Sequence, residues 1–460
     1  MESANTNDQK IYMERIREFS KARVTAPLGY VDTYGCQQNE SDSEKLRGML
    51  VYMGYDLTDD EYAADIIIIN SCAIRENAEN RVYGNVGELV HTKRAKPSQI
   101  IVFCGCIAAI PQVADKIRES YRHVDLLFSP NNLWRFPKML YNIMSAKGRI
   151  IDSDIGDSNI VEDIPLHRDK SINAWLPIMY GCDNFCSYCI VPYVRGRERS
   201  RIPDDILSQA RNIIADGYKD ITLLGQNVNS YGKGLVEKTD FASLLKQLND
   251  LDGDFLIRFM TSHPKDASES LFRVMASGDK IAKHIHLPFQ SGNDRILSRM
   301  NRKYTRKQYL EKIAQARDYI PDIVITSDVI VGFPDETDRE FEDTLTLVNE
   351  AKFDALFTFI YSKRPGTPAA DLPDSVSRDE KQVRFDRLLD LQNSISEEKH
   401  AAYIGKTVTV LPDEVSHDQR YPLKARTNGG RLVHMQGGPE LLGKFTKVTI
   451  TDSNSWSLFA

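Results

Sequence analysis

Short apolar runs alternate with amphipathic stretches along the first third of the chain. The apolar runs have the length of buried strands, and the stretches between them repeat apolar residues at helical spacing. The predicted strands are residues 29–34, 65–70, 100–104 and 124–128, and the predicted helices are residues 40–52, 75–92 and 111–119. Because strands and helices alternate, residues 26–147 are predicted to form a parallel sheet with flanking helices.

A second series of strands and helices follows a polar segment, residues 148–172, which we interpret as a linker. The predicted strands of this series are residues 176–180, 220–224, 256–260, 284–287, 323–330 and 355–361. Six strand–helix units favour a partial (β/α)6 barrel over a complete eight-unit barrel, and this domain covers residues 173–398. Ser377 and Glu380 have the spacing of a capping box, which predicts a helix that reaches Glu398.

After residue 400 the pattern changes to short β-rich runs. The predicted strands are residues 407–411, 423–426, 432–435, 445–451 and 456–459. Five short strands within residues 401–460 predict a small antiparallel β-barrel of the kind that binds oligonucleotides. The fold class is therefore α/β, with an N-terminal parallel-sheet domain, a central partial barrel and a terminal β-barrel.

Composition and net charge exclude few classes of protein. The chain is 41% hydrophobic and 27% charged, as globular proteins are, and its net charge of -6 means that any RNA site is a local basic patch. Residues 1–10 lack the apolar segment of a signal peptide, and no apolar run approaches the ~20 residues of a membrane helix. We therefore expect a cytoplasmic protein, in which seven cysteines indicate metal ligation rather than disulfides.

Three cysteines follow the first strand of the second series at the spacing CxxxCxxC. Cys182, Cys186 and Cys189 can bind three irons of a [4Fe-4S] cube and leave the fourth iron for the amino and carboxylate groups of S-adenosylmethionine. The alternative is a zinc loop, but zinc sites usually pair two CxxC units and this chain has no second pair. With the aromatic Tyr188 before its last cysteine, the motif resembles the radical-SAM signature.

Three further cysteines lie just past predicted strands of the N-terminal domain. Cys36, Cys72 and Cys106 each fall at the carboxyl end of a parallel strand, where such sheets place ligand sites. They are far apart in sequence, so only the fold could bring them together. Their spacing alone leaves open the alternative of inert buried cysteines. The seventh cysteine, Cys104, is most simply a core residue.

Several motifs resemble the methylthiotransferase family of radical-SAM enzymes over about residues 25–460. They are Gly35-Cys-Gln-Gln-Asn39, Asn70-Ser-Cys-Ala-Ile-Arg75 and Cys186-Ser-Tyr-Cys-Ile-Val-Pro-Tyr193, and residues 401–460 are similar to the TRAM RNA-binding module. The resemblance implies a second [4Fe-4S] cluster on Cys36, Cys72 and Cys106, which carries the sulfur to be inserted. It also implies two S-adenosylmethionine molecules per product.

The branch of the family is indicated by three motifs after barrel strands. Leu224-Gly-Gln-Asn-Val-Asn-Ser-Tyr231, Arg258-Phe-Met-Thr-Ser-His-Pro264 and His286-Leu-Pro-Phe-Gln-Ser-Gly-Asn293 resemble the branch that adds a methylthio group to N6-prenyladenosine next to the tRNA anticodon. One alternative is the branch that acts on threonylcarbamoyl-adenosine. A second is a non-enzymatic RNA-binding iron–sulfur electron carrier. The implied partners are a tRNA anticodon stem-loop and an electron donor such as a flavodoxin or ferredoxin, and we expect a monomer.

Two sets of side chains are candidates for contacts with the cofactor and with RNA. The cofactor set lies at the barrel face where such enzymes hold ligands, and a structural turn is the alternative for each member. It comprises Tyr188, Gln226, Ser262, Gln290, Asp328 and Phe333. The RNA set is basic, and although charged runs are usually solvated faces, its location favours phosphate contact. It comprises Arg195, Arg197, Arg302, Lys303, Lys424, Arg426, Arg431 and Lys444.

Overall fold

The computed structural model describes residues 3–73, 76–146, 148–155, 160–169 and 172–460. The chain divides into two compact units. The N-terminal unit comprises Met1–Asp169, Tyr180–Asp183 and Cys189–Arg199, and the C-terminal unit comprises Lys170–Met179, Asn184–Tyr188 and Ser200–Ala460. Among the described residues, none of the helices is both long enough and apolar enough to cross a membrane.

The N-terminal unit is built on a six-stranded parallel sheet. The elements of residues 3–152 are α1 (Ser3–Lys21), β1 (Leu28–Tyr34), α2 (Gln37–Tyr52), β2 (Asp56–Leu57), β3 (Ile66–Ser71), α3 (Glu76–Ala95), β4 (Ile100–Cys104), α4 (Pro111–Ser120), β5 (Leu126–Phe128), α5 (Phe136–Ala146) and β6 (Ile150–Asp152). The strand order is β2-β1-β3-β4-β5-β6. Strands β3 and β4 are apolar at successive positions because both faces of the sheet are covered, as in parallel sheets generally.

The predicted linker is partly ordered structure of the N-terminal unit. Strand β6 pairs with β5, so the sheet continues past residue 147; β6 contains only two apolar residues, neither buried, within a polar stretch, so the sequence pattern does not mark it as a strand. Further along, the backbone at Pro165 packs so closely on α2 that a Cβ at Gly48 would lie 2.2 Å from its carbonyl oxygen. Residues 156–159 and 170–171 of the predicted linker, and Ile74 and Arg75 of a quoted motif, lie outside the described residues.

The C-terminal unit contains the predicted partial barrel. The elements of residues 173–401 are β7 (Asn173–Pro177), β8 (Met179–Tyr180), α6 (Val191–Arg195), β9 (Arg199–Ser200), α7 (Pro203–Ala215), β10 (Asp220–Leu224), α8 (Phe241–Asn249), β11 (Leu256–Phe259), α9 (Glu269–Ser277), β12 (His284–His286), α10 (Asp294–Arg299), α11 (Arg306–Tyr319), β13 (Val324–Val331), α12 (Asp338–Ala351), β14 (Ala355–Ile360) and α13 (Arg378–Ala401). Two parallel sheets, β11-β10-β7 and β12-β13-β14, are linked by a bridge between Ile257 and Ile281. The predicted Ser377–Glu380 capping box is present at the start of α13.

The last 60 residues form a curled sheet that is antiparallel except for one parallel pair of strands. Its strands are β15 (Thr407–Val415), β16 (Leu423–Thr427), β17 (Leu432–Met435), β18 (Thr446–Thr449), β19 (Asp452–Ser453) and β20 (Leu458–Phe459). Arg258 ties this sheet to the barrel, because its guanidinium donates to the backbone oxygens of Thr427 and Asn428 at 3.0 and 2.8 Å. The predicted fold class is confirmed.

Candidate active site

The first triad of cysteines lies at one edge of the N-terminal sheet. Strands β1, β3 and β4 are neighbours, and Cys36, Cys72 and Cys106 each follow the carboxyl end of one of them. The chain is tightly packed there, since a Cβ on Gly35 would lie 2.6 Å from the Cβ of Cys72. The fold therefore brings together three cysteines that the sequence keeps far apart, as expected from the parallel sheet.

Gly105 separates the roles of Cys104 and Cys106. Its φ of +94° and the 2.3 Å that would separate a Cβ from the carbonyl oxygen of Ser71 leave room only for glycine. Strand β4 ends at Cys104, so the alternation of side chains does not continue to Cys106. Cys104 packs in the apolar core with residues such as Phe128 and is a core residue, as predicted.

The positive charge of Arg195 acts on two thiols of this triad. A hydrogen bond with Cys72, assisted by the positive charge of Arg195, lowers the pKa of Cys36 to about 6. Burial raises the pKa of Cys106, and the charge of Arg195 opposes that rise. This shift favours the thiolate of Cys36, the form of a cysteine that binds metal.

Arg195 is held between Cys106 and Asp42. Its side chain is buried, with 4% of the residue exposed; Nε donates to Sγ of Cys106 at 3.1 Å, and Nη2 donates to Oδ2 of Asp42 at 2.9 Å. Asp42 lies on α2 and is also buried. This burial corrects the expectation that Arg195 contacts RNA, because a guanidinium enclosed with a carboxylate does not face a phosphate.

The second triad, Cys182, Cys186 and Cys189, lies within eight consecutive residues. Cys182 and Cys189 belong to the N-terminal unit, and Cys186 belongs to the C-terminal unit. Cys182 and Cys186 are buried, and Cys189 is half-buried. Arg302 donates to Sγ of Cys186 at 3.4 Å, to the backbone oxygen of Pro288 at 2.7 Å and to the Tyr304 hydroxyl at 3.1 Å.

Arg302 also departs from its predicted role. Only 4% of the residue is exposed, so it is a neighbour of a cysteine sulfur rather than a surface contact for RNA. Among the described residues, no group of three or more His, Cys, Asp or Glu side chains is spaced to hold a single metal ion. An iron–sulfur cube differs from a single ion, because each of its cysteines binds a different iron. Cys36, Cys72 and Cys106, which lie in one unit with the Arg195 guanidinium beside one sulfur, have the chemistry that such a cube requires.

Unpartnered polar atoms cluster after β10 and β11, at the carboxyl ends of two neighbouring barrel strands. Within the described part of the chain, no hydrogen-bond partner meets Oε1 of Gln226, Oδ1 of Asn227, either amide atom of Asn229, Oγ of Ser262 or Nε2 of His263. Most buried polar groups in proteins have a hydrogen-bond partner, which can be the protein, water or a ligand. The cluster is therefore a candidate ligand site at the barrel face where such sites form, and it includes the predicted Gln226 and Ser262.

His263 is a functional candidate that the sequence analysis did not single out. Burial, with the charge of Arg302 nearby, holds the pKa of this histidine far below its usual range, so its ring is neutral. Because Nδ1 accepts a hydrogen bond from the backbone N–H of Lys265 at 3.3 Å, the ring proton resides on Nε2. Nε2 is thus a buried donor ready for a ligand. A histidine directly after a barrel strand, in the Ser-His-Pro sequence, was the available signal.

The other predicted cofactor residues have mixed surroundings. Gln290 extends the ladder of β13, since its backbone N–H donates to the Asp328 oxygen at 2.9 Å, while the Asp328 carboxylate lies 3.3 Å from Nε2 of His286. Tyr188 is half-buried beside the apolar cluster that contains Phe333. Phe333 is fully buried with its ring edge-on to Tyr361, which corrects the expectation that it contacts the cofactor: it is a core residue.

The remaining basic candidates divide by exposure. Lys303 and Lys444 are exposed, and Arg197 and Arg426 are exposed in ion pairs with Asp183 and Asp413. Lys424 is half-buried and paired with Glu414 at 2.7 Å. Arg431 corrects the prediction, because it is buried against the ring of Tyr403 and pairs with Asp354.

Known proteins resemble every part of this architecture. The chain matches the Radical SAM superfamily at residues 176–348, the uncharacterized protein family UPF0004 at residues 29–129, and the TRAM domain at residues 401–460. The radical S-adenosylmethionine methyltransferase TsrM from Kitasatospora setae matches 75% of each chain with a TM-score of 0.56 and 12% identity. At that identity the likeness shows the fold alone. The match to the Radical SAM superfamily defines the class of the protein, a radical S-adenosylmethionine enzyme.

Curated relatives identify the family. The tRNA-2-methylthio-N(6)-dimethylallyladenosine synthase of Acetivibrio thermocellus is 47% identical over 454 residues, which cover 98% of this chain and 95% of that protein. The synthase of the same name from Alkaliphilus oremlandii is 49% identical over 428 residues, 93% and 91% of the two chains. The chain therefore belongs to the family of tRNA-2-methylthio-N(6)-dimethylallyladenosine synthases, which confirms the resemblance seen in the sequence. Its cofactors are [4Fe-4S] clusters and S-adenosylmethionine.

Proposed function

We propose that this enzyme converts N6-prenyladenosine next to the anticodon of a tRNA to its 2-methylthio derivative. The observation that carries the proposal is the pair of separate cysteine triads in one chain. The C2–H bond of adenine does not react by general acid–base catalysis, so one cluster is needed for radical chemistry and a second to hold the sulfur. An electron carrier would need neither the second triad nor the ligand site of the barrel.

Each triad would hold one [4Fe-4S] cluster. Cys182, Cys186 and Cys189 would hold the cluster that works with S-adenosylmethionine, and Cys36, Cys72 and Cys106 would hold the second. When bound, the clusters and two S-adenosylmethionine molecules supply the electron, the hydrogen abstraction at C2 and the methylthio group.

The side chains of the barrel bind and orient. Nε2–H of His263 donates a hydrogen bond to the bound cofactor or base, and the oxygens of Gln226 and Ser262 make further hydrogen bonds to it. The exposed Lys303 and Lys444 contact RNA phosphates. The target base has to be unstacked to reach the site, so it lies in a single-stranded loop.

The prenyl group favours an apolar pocket over one lined with cations. Burying five carbons at about 0.8 kcal/mol per methylene is worth roughly 3–4 kcal/mol, a preference of a few hundredfold over unmodified adenosine. A threonylcarbamoyl group would instead require a cation or amide donors for its carboxylate, because an unpaired buried charge is prohibitive.

The test presents the reconstituted enzyme with three anticodon stem-loops that carry unmodified, prenylated or threonylcarbamoylated adenosine. Mass spectrometry should find methylthio product mainly on the prenylated loop. Preference for the threonylcarbamoyl loop would contradict the substrate assignment but not the chemistry. The variant Cys182→Ala/Cys186→Ala/Cys189→Ala serves as the matched control and should give no product on any loop. A cytoplasmic location, a flavodoxin or ferredoxin as donor and a monomeric state remain predictions.

A further inference from the structure

We propose that Arg195 is a positioning residue for the sulfur of Cys106 and that Asp42 fixes its guanidinium there. The pair thereby sets the reduction potential of the N-terminal cluster. The inference rests on the proposed function, because it takes Cys106 to be a cluster ligand.

The geometry holds the guanidinium from two sides. Arg195 ends α6, which follows the last cysteine of the second triad, and Asp42 lies on α2, which begins directly after Cys36. The guanidinium uses Nε for the sulfur and Nη2 for the carboxylate, so it cannot turn toward Asp42 without leaving Cys106. Lysine has no such fork and cannot make both contacts in this geometry.

A purely structural role does not account for the pair well. Both residues are almost fully buried, with relative exposures of 4% and 5%, and burying an ion pair costs desolvation that an apolar pair of similar volume avoids. The same pocket is otherwise apolar around Cys106, which packs with Ala73, Ile190 and Val194. A charge kept in such surroundings has a strong effect on the nearest sulfur, because the local dielectric is low.

The two charges act on the cluster in opposite directions. Reduction adds one electron, so a cation and an N–H donor at a ligand sulfur stabilise the reduced state and raise the potential. Asp42 partly offsets the cation. Removal of the Arg195 charge should therefore lower the potential, and removal of the Asp42 charge should raise it. A loss of packing would give no such reversal of sign.

The experiment uses the full chain carrying Cys182→Ala/Cys186→Ala/Cys189→Ala, so that only the N-terminal cluster remains. Iron and sulfide analysis should find about four irons per chain. An EPR-monitored redox titration is then made with Arg195→Gln, Arg195→Lys and Asp42→Asn. We expect Arg195→Gln to lower the ratio of reduced to oxidised cluster at a given potential about tenfold, which corresponds to a reduction potential about 59 mV lower. Asp42→Asn should raise the reduction potential. Arg195→Lys should lie between Arg195→Gln and the parent.

The matched control is Arg23→Gln. Arg23 forms an ion pair with Asp65 at 3.0 Å, and Asp65 precedes β3 at the opposite edge of the same sheet. This variant should leave the potential unchanged. If Arg195→Gln fails to bind iron, the sign of the Asp42→Asn shift decides alone.

The outcomes separate this inference from the proposed function. Iron near zero in the parent background would overturn the cluster assignment, and this inference with it. About four irons, with shifts that are absent or of the same sign in Arg195→Gln and Asp42→Asn, would overturn the role of Arg195 alone.

Discussion

Cys36, Cys72 and Cys106 come from three neighbouring strands, whereas Cys182, Cys186 and Cys189 lie within eight consecutive residues. One buried arginine donates to a sulfur in each triad, at 3.1 Å from Arg195 and 3.4 Å from Arg302. The settings of these arginines differ in charge: Arg195 faces the carboxylate of Asp42, but Arg302 faces the oxygens of Pro288 and Tyr304.

Because the surroundings of the two arginines differ in charge, we expect the arginines to act differently on the cysteines they contact. In the described part of the chain, no carboxylate pairs with Arg302, so its full positive charge acts beside Cys186. Such a charge favours electron uptake and an anionic ligand. At Cys106 the charge of Arg195 is partly offset by the carboxylate of Asp42, 2.9 Å from its Nη2.

The largest effect should come from removing either triad. The variant Cys182→Ala/Cys186→Ala/Cys189→Ala should abolish cleavage of S-adenosylmethionine, while Cys36→Ala/Cys72→Ala/Cys106→Ala should keep cleavage but lose methylthio transfer. Each should retain about four of about eight irons, measured after anaerobic reconstitution. Cleavage by the first variant would contradict the assignment of the two tasks.

The next effect separates Cys106 from its neighbour Cys104. Cys106→Ala should lose the N-terminal cluster, about four irons. Cys104→Ser should retain the iron but lower the free energy of unfolding by roughly 1–3 kcal/mol, because it buries a hydroxyl in the apolar core. Iron analysis and chemical denaturation measure the two effects. Equal iron loss in both variants would contradict the separation at Gly105.

The sequence was most informative where chemistry is local. The spacing of Cys182, Cys186 and Cys189 predicts a cluster by itself, because the three ligands lie on one short stretch. The first triad depends on the order of strands in the sheet, which a pattern of apolar residues does not contain. The family resemblance was therefore needed to favour a cluster site over three inert buried cysteines. Strands of the barrel were predicted to within a few residues because each is a short apolar run bounded by helical sequence.

Burial of charged residues is what the sequence did not reveal. Arg195, Arg302 and Arg431 belong to basic stretches that resemble RNA contacts, yet each is enclosed by partners from distant parts of the chain. Phe333 was assigned to the cofactor for the same reason, since only the fold decides whether an apolar side chain faces a ligand or the core. His263 was recognised as a candidate only from the structure, where its Nδ1 accepts a hydrogen bond from the backbone N–H of Lys265 and, within the described residues, its Nε2 is left free to donate.

A smaller effect should distinguish the two arginines. In the background lacking the N-terminal triad, Arg302→Gln should lower the reduction potential of the remaining cluster by more than Arg195→Gln lowers that of its own. The reason is that, among the residues the structure describes, the hydrogen bonds of the Arg302 guanidinium go to Cys186, Pro288 and Tyr304 and not to a carboxylate. EPR-monitored titration measures both shifts, and Arg302→Lys, which keeps the charge, should recover part of the loss. Equal shifts would contradict the expectation that the carboxylate of Asp42 weakens the effect of Arg195 on its cluster.

The smallest effect concerns the exposed cations that neighbour the buried arginines. Arg197 and Lys303 are exposed, two residues and one residue away from Arg195 and Arg302. If they contact phosphates, Arg197→Ala and Lys303→Ala should each weaken stem-loop binding a few-fold and reduce the salt slope of log K by about one. Arg195→Gln and Arg302→Gln should leave that slope unchanged, because enclosed guanidiniums release no counterions. The comparison is made by titrating binding at several salt concentrations, with the iron content of every variant measured first. If Arg195→Gln reduced the salt slope as much as Arg197→Ala does, Arg195 would contact phosphate as well. That result would contradict the assignment of RNA contacts to the exposed cations alone.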